Sequence, residues 1–161
     1  MRSAHTHSTG VSFIPVRIVI AVLIVLAFAS AAGASPDIYE PDDMYQQARP
    51  LTVGGSQARS IDPLGDYDWA YFVVSAASTV TVATSGVNGD TMLYLYRSNA
   101  TTLVTSDDDS GDGAFSRISN IPLAAGKYYV LTIEYGSNAL IPLYYLQLWG
   151  DNIAGAGEFS C

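Results

Sequence analysis

The chain from residue 35 onward consists of short apolar runs separated by turn-forming residues. The runs are rich in Val, Ile, Thr, Tyr and Leu, and Gly, Asn, Asp or Pro fill nearly every gap. Because no helix-length 3.6-residue pattern interrupts the series, it predicts about eight short strands. Strands at such spacing are typical of an all-β antiparallel β-sandwich or jelly roll. The predicted strands lie at about 57–61, 69–74, 79–84, 92–97, 102–106, 116–121, 127–135 and 143–149.

The strands at 92–97 and 143–149 show clear alternation. Successive side chains of a strand point to opposite faces, so one face of each strand should belong to the core. The predicted core-facing residues are Leu93, Leu95, Tyr144, Leu146 and Leu148.

Aromatic residues opposite predicted core positions form a candidate binding surface, because exposed aromatic side chains are strong anchors for a partner. The alternative is that covering loops partly bury both faces of these strands. The candidate surface comprises Tyr94, Tyr96, Tyr128, Tyr145 and Trp149.

The N-terminal segment has the pattern of a secretory signal peptide. Arg2 and Arg17 precede the apolar run 18–29, which gives way to small residues ending at Ala34. A membrane span needs about 20 apolar residues, so cleavage after Ala34 is favoured over a retained anchor. We therefore expect a signal peptide at 1–34 and a secreted, extracellular or periplasmic protein with no membrane span after cleavage. The remainder divides into an acidic arm at 35–50, a β-sandwich at 51–150 and a flexible tail at 151–161.

Charge and cysteine content narrow the possible partners. Without the two arginines of the signal peptide, 15 acidic and 5 basic side chains remain, a net charge of −10. Nucleic acid is excluded as a partner, because phosphates require a basic surface. The single cysteine, Cys161, can form no internal disulfide; it either bridges to another chain or is incidental.

Ordinary catalysis lacks its usual residues. Both histidines, His5 and His7, lie inside the predicted signal peptide, so the exported chain has no imidazole for a nucleophilic relay or a zinc site. An acid-only hydrolase using Asp66 and Asp68 is the remaining catalytic alternative. It is disfavoured because such sites need two carboxyls in differently tuned pockets. We therefore expect no enzyme activity.

The carboxylates are clustered in the arm, around the turn at 62–68 and in the loop at 107–113. Grouped oxygen ligands suit calcium, which accepts about six to eight oxygens in irregular geometry. In extended segments Glu40 and Asp42 point the same way, as do Asp66 and Asp68, so two pairs could converge on one ion. The alternative is a solvated acidic linker beside a turn.

The acidic loop at 107–113 is comparable to an EF-hand only in part. Position twelve of such a loop would be Ile118, where a bidentate Glu is required. A turn is therefore favoured over a second metal site. In that turn aspartates cap backbone amides, and Gly111 and Gly113 supply positive φ.

Six short blocks occur in order along the chain: DIYEPDD at 37–43, GDYDW at 65–69, DTMLYLY at 90–96, SDDD at 106–109, SRI at 116–118 and GKYYV at 126–130. Together these blocks resemble the bacterial pre-peptidase C-terminal domain. The resemblance implies a β-sandwich related to the collagen-binding domains of clostridial collagenases, and a calcium site at the arm and the following turn. Carried over by position, the ligands are Glu40, Asp42, Asp43, Asp66 and Asp68; the family motif usually has Asn where this chain has Asp42.

The resemblance also implies a role. Domains of this family sit beside secreted peptidases and help secretion or target substrate, whereas no peptidase accompanies this domain in the sequence. We therefore expect a secreted, non-catalytic binding or targeting module that calcium stabilises. Its expected partner is a secreted peptidase or an extracellular protein or polymer, collagen-like or other. The alternative is a structural or assembly component of the cell envelope.

Overall fold

The computed structural model describes residues 36–154. The predicted signal peptide and Cys161 lie outside these residues, as does most of the predicted tail. The described residues contain no helix and therefore none that could span a membrane. Their strands are β1 Arg49–Pro50, β2 Ser56–Ile61, β3 Asp68–Val74, β4 Ser78–Gly86, β5 Thr91–Arg97, β6 Leu103–Asp107, β7 Arg117–Leu123, β8 Gly126–Glu134 and β9 Ile141–Gly150.

The nine strands form two sheets, in the orders β1-β3-β8-β5-β6 and β2-β9-β4-β7. All neighbouring strands pair antiparallel except β1, which runs parallel to β3. The predicted all-β sandwich is thus confirmed, and each of the eight predicted strands is present. The ninth, β1, has only two residues and lies within the segment predicted as the arm.

The core lies between the inner faces of the two sheets. Leu93 and Leu95 of β5 are fully buried, as are Tyr144, Leu146 and Leu148 of β9. The alternation in the sequence therefore assigned the core faces of both strands correctly. The two strands belong to different sheets, so their buried residues contribute to the core from opposite sides.

Residues 36–48 form no strand but are fastened to one end of the sandwich. The Trp69 amide of β3 donates to the Asp42 carbonyl at 3.2 Å. The Ser60 amide of β2 donates to the Asp37 carboxylate at 2.8 Å. These bonds join the arm to both sheets, because β2 and β3 belong to different sheets.

The start of the predicted tail is also bonded to the domain. Ile153 forms an antiparallel bridge with Val74, and the Ala154 amide donates to the Val73 carbonyl at 2.9 Å. Residues 151–154 are therefore part of the sandwich rather than a flexible tail.

Candidate metal centre

Three carboxylates from different parts of the chain meet where the arm joins the sandwich. Glu40 comes from the arm, Asp66 from the turn before β3 and Asp68 from the first position of β3. One oxygen of each lies within 4.8 Å of an oxygen of the other two. The predicted convergence of arm and turn is thus present for these three residues.

The turn holds Asp66 in place. The Asp66 amide donates to the Pro63 carbonyl at 3.1 Å, which closes the turn. The two oxygens of the Asp66 carboxylate accept the amides of Asp62 at 3.1 Å and Tyr67 at 2.9 Å. Such side-chain-to-backbone bonds are typical of Asp in turns, and they fix the direction of the carboxylate.

The other two predicted ligands are placed differently. Asp42 is fully buried, and its Oδ2 forms an ion pair with Arg59 of β2, at 2.5 Å from Nη1. Asp43 is exposed, and the proximity of its side chain adds to the rise in the pKa of Asp66 that burial causes. The structure therefore puts Glu40, Asp66 and Asp68 at the centre, Asp43 at the rim and Asp42 against an arginine.

Burial makes the charged forms of these carboxyls unfavourable. Loss of hydration raises the pKa of Asp68 to about 8, although the hydrogen bond from Tyr144 and the charge of Arg59 oppose the rise. Burial likewise raises the pKa of Asp42 and that of Asp66 to about 6. It also raises the pKa of Glu40. Several carboxylates thus share one poorly hydrated volume, and a cation would stabilise their ionised forms.

Several oxygens of the cluster have no hydrogen-bond donor. Within residues 36–154, the buried atoms Glu40 Oε1, Asp42 Oδ1 and Asp68 Oδ1 lack any partner. A buried acceptor left unpaired costs about 1–3 kcal/mol, and more when it is charged. Clustered carboxylates with unpaired oxygens fit a hard divalent cation, and an all-oxygen ligand set suits calcium.

The loop at 107–113 is built as a turn. Asp107 Oδ2 accepts the amides of Ser110 at 3.1 Å and Arg117 at 2.6 Å, and Gly113 has a φ of 68°. Gly111 does not have the predicted positive φ. It is needed because a Cβ there would lie 2.3 Å from the Phe115 carbonyl oxygen.

A second acidic group adjoins this loop, and the sequence analysis did not identify all of it. Oxygens of Asp90, Asp108 and Asp109 lie within 4.8 Å of one another. The three side chains are half-buried or exposed, whereas Asp66 and Asp68 of the first group are buried. Asp90 Oδ1 and Asp108 Oδ1 are nevertheless buried atoms with no hydrogen-bond partner within residues 36–154. Asp90 precedes β5 and is distant in sequence from the other two, so no local spacing could have grouped them.

The predicted aromatic surface is not a single surface. Tyr94 and Tyr96 lie on the outer face of the five-stranded sheet, whereas Tyr145 and Trp149 lie on the outer face of the other sheet. The assignment of Tyr128 to this surface is wrong. Tyr128 is only 4% exposed, stacks on Phe72 with ring centroids 5.8 Å apart, and donates its hydroxyl to the Ala124 carbonyl.

The five-stranded sheet carries a larger aromatic cluster than the sequence analysis identified. Rings from β3, β5 and β8 lie side by side on its outer face, with Trp69 and Tyr96 centroids 5.6 Å apart. Tyr45 of the arm packs edge-on against Trp69 and Tyr129, at 6.2 Å and 5.7 Å. We call this cluster the aromatic face; it consists of Tyr45, Trp69, Tyr71, Tyr94, Tyr96 and Tyr129.

Comparison with known proteins agrees with this architecture. Residues 66–131 match the family model described as the bacterial pre-peptidase C-terminal domain. Among solved structures, the pre-peptidase C-terminal domain of a Bacillus anthracis collagenase superposes with a TM-score of 0.54 at 16% identity, covering 63% of this chain and 93% of that one. A periplasmic inhibitor of g-type lysozyme from Aeromonas hydrophila gives a TM-score of 0.46 at 14% identity, covering 65% of this chain and 99% of that one.

No curated protein matches the chain. At 16% identity, the likeness to the collagenase domain shows a common fold. The family match begins at Asp66, includes Asp68, and continues from β3 through β7 and most of β8. Residues 66–131 of this chain thus match the bacterial pre-peptidase C-terminal domain family, and the fold agrees with that match.

Proposed function

We propose that this protein is an exported, non-catalytic binding module whose arm and sandwich are joined by a calcium ion. Glu40, Asp66 and Asp68 supply the central ligands, and Asp43 is available at the rim. The observation that carries the proposal is the meeting of three carboxylates within 4.8 Å, two of which, Glu40 and Asp68, have a buried oxygen that meets no donor within residues 36–154.

The alternative role for these carboxyls is acid-base catalysis, since the pKa of Asp66 is raised to about 6 and that of Asp68 to about 8. Geometry argues against it. Asp68 has no exposed surface, so its carboxyl cannot reach a substrate. A buried ligand of a metal ion needs no such access, and members of this family are non-catalytic modules of secreted peptidases.

Calcium bound here would stabilise the contact between the arm and the sandwich. Glu40 belongs to the arm and Asp68 to the sheet, so one ion can bond both. At a hundred times its dissociation constant, an ion that binds only the folded state adds about 2.7 kcal/mol to the free energy of unfolding. That corresponds to several degrees in melting temperature for a domain of this size.

We further propose that the aromatic face binds the partner, either an extracellular polymer or a secreted peptidase. The acidic residues of β3 and β8, Asp68 and Glu134, are both buried, so neither strand adds a carboxylate to this face. The Lys127 ammonium lies 3.9 Å from the Tyr71 ring centroid. In a strongly acidic protein, this face offers apolar contact without charge repulsion toward a neutral or acidic partner.

Calcium titration of the purified protein tests the metal site. Glu40→Gln keeps the acceptor that bonds the Asp42 amide but replaces the unpaired oxygen with an amide, so it should weaken calcium binding at least tenfold. Asp108→Asn, in the other acidic group, should leave the affinity unchanged. An identical melting temperature in chelator and in millimolar calcium would refute the calcium proposal. Equal losses of calcium affinity in Glu40→Gln and Asp108→Asn would mean that the ion does not bind at the proposed site.

A further inference from the structure

Arg59 is an unusual residue for the interior of a small domain. It lies in β2 and is fully buried. Its Nη1 pairs with Asp42 Oδ2 at 2.5 Å, and its Nε donates to Gln57 Oε1 at 3.0 Å. The face of the Tyr39 ring covers the guanidinium, with the centroid 4.6 Å from Cζ.

Two of these three partners belong to the arm. Tyr39 and Asp42 both precede the first strand, whereas Arg59 and Gln57 belong to β2. A guanidinium is costly to bury unless it is paired, so displacing the arm would leave Arg59 without its carboxylate. The ion pair therefore favours the docked arm without any metal ion.

The charges of the cluster give Arg59 a second role. Apart from the exposed Asp43 at the rim, Glu40, Asp42, Asp66 and Asp68 carry four negative charges when ionised, and Arg59 supplies one positive charge among them. One calcium ion then leaves a net charge of −1. Without Arg59 the same ion would leave −2, and a second cation could be accommodated beside Asp42, whose Oδ1 has no donor within residues 36–154.

We propose that Arg59 is a counter-ion with three roles. First, its ion pair with Asp42 removes that carboxylate from the set of calcium ligands. Second, the pair holds the arm against the sandwich in the absence of calcium, and third, the charge of Arg59 limits the cluster to one divalent ion. The second part, docking of the arm, stands independently of the calcium site, whereas the first part rests on the function proposed above. The third part deepens that site and rests on the function proposed above.

Amide hydrogen exchange in the presence of chelator tests the docking role. The Trp69 amide bonds the Asp42 carbonyl, so its exchange reports opening of the arm, and the Val130 amide in β8 reports the core. In the unaltered protein both amides should stay protected in chelator. In Arg59→Met, Trp69 exchange should rise about a hundredfold or more while Val130 stays protected. Arg117→Met, which removes an exposed arginine, should change neither amide.

Loss of Trp69 protection in the unaltered protein on chelation, with Val130 still protected, would overturn the docking role. So would equal Trp69 exchange in Arg59→Met and the unaltered protein. If Arg59→Met does not fold, the double variant Asp42→Asn/Arg59→Met takes its place in the comparison, because it removes both buried charges. Trp69 exchange of the unaltered protein in chelator tests the docking role whether or not either variant folds.

Counting bound calcium by equilibrium dialysis tests the limit to one ion. The unaltered protein should bind one calcium per chain and Arg59→Met two. Two ions in the unaltered protein, or one in both, would overturn this part. Binding of no calcium by either protein would refute the calcium proposal and this limit together, while the exchange result would still decide whether Arg59 docks the arm.

Discussion

Replacing Asp68 with asparagine should stabilise the protein in chelator, and calcium should abolish that advantage. Asp68 is fully buried and accepts a hydrogen bond from the Tyr144 hydroxyl. Asparagine has nearly the same shape and can still accept that bond, but it carries no charge and is a poorer calcium ligand. The substitution therefore separates the cost of burying the carboxyl from its value as a ligand.

The magnitude in chelator follows from the pKa of Asp68, which burial raises from 3.8 to about 8. At pH 7 the folded state then keeps this carboxyl mostly protonated, whereas the unfolded state ionises it. Since one pKa unit corresponds to about 1.36 kcal/mol, this difference lowers stability at pH 7 by roughly 4 kcal/mol. Asparagine avoids that loss but leaves an amide group without an acceptor, at about 1–3 kcal/mol. We expect a net gain of about 1–3 kcal/mol in chelator.

In calcium the advantage of the variant should disappear, because only the unaltered protein is stabilised by the ion. The unaltered protein gains about 2.7 kcal/mol at a hundred times the dissociation constant, whereas the variant should gain little. Thermal melts at pH 7 should therefore show the variant several degrees more stable in chelator and show that advantage lost in calcium. A variant that melts lower than the unaltered protein by the same amount in both solutions would refute the reasoning and make Asp68 a structural residue only.

Three further predictions follow from the same structure. In chelator the melting temperature should rise as pH falls from about 8 to about 6, because the raised pKa values of Asp66 and Asp68 mean that folding takes up protons; the calcium-induced shift should shrink over the same range, since protons compete with the ion. A flat melting temperature across this range would contradict the assignment. Tyr96→Ala, on the aromatic face, should weaken partner retention about tenfold or more in pull-downs against extracellular polymers, whereas the matched Tyr145→Ala on the opposite sheet should not. Equal losses of partner retention in the two variants would mean that the aromatic face is not the binding surface. The purified protein should cleave neither peptides nor glycosides; activity that copurifies with it and disappears in Asp66→Asn would show the acid-only hydrolase to be correct.

The candidate metal centre could be predicted from the sequence only in part. Spacing and family resemblance identified Glu40, Asp66 and Asp68, because each lies in a short segment whose neighbours define a turn or an extended arm. They also suggested Asp42 as a ligand. The structure pairs it with Arg59, 17 positions away. No local rule predicts that pair, since an arginine in a strand is ordinarily assigned to the solvent face.

The strands themselves were determined by the sequence. Alternation with a period of two is a local property, so 92–97 and 143–149 revealed both the strand and its buried face. The short strand β1 had no such signal. Its two residues are a strand only because they lie beside the edge of β3, which depends on the arrangement of the whole sheet.

Tertiary structure decided which side chains share a face and which share a buried volume. Two adjacent tyrosines of β8 lie on opposite faces of the sheet. Tyr128 stacks on Phe72 in the core, whereas Tyr129 belongs to the aromatic face. The sequence did not determine which of the two tyrosines faces the core. The register of β8 between β3 and β5 determines it. The same non-local packing places Arg59 beneath the arm and removes water from the carboxylates. Local pattern therefore specified the elements of this domain, whereas charge pairing and burial, on which its proposed chemistry depends, arise only when distant segments meet.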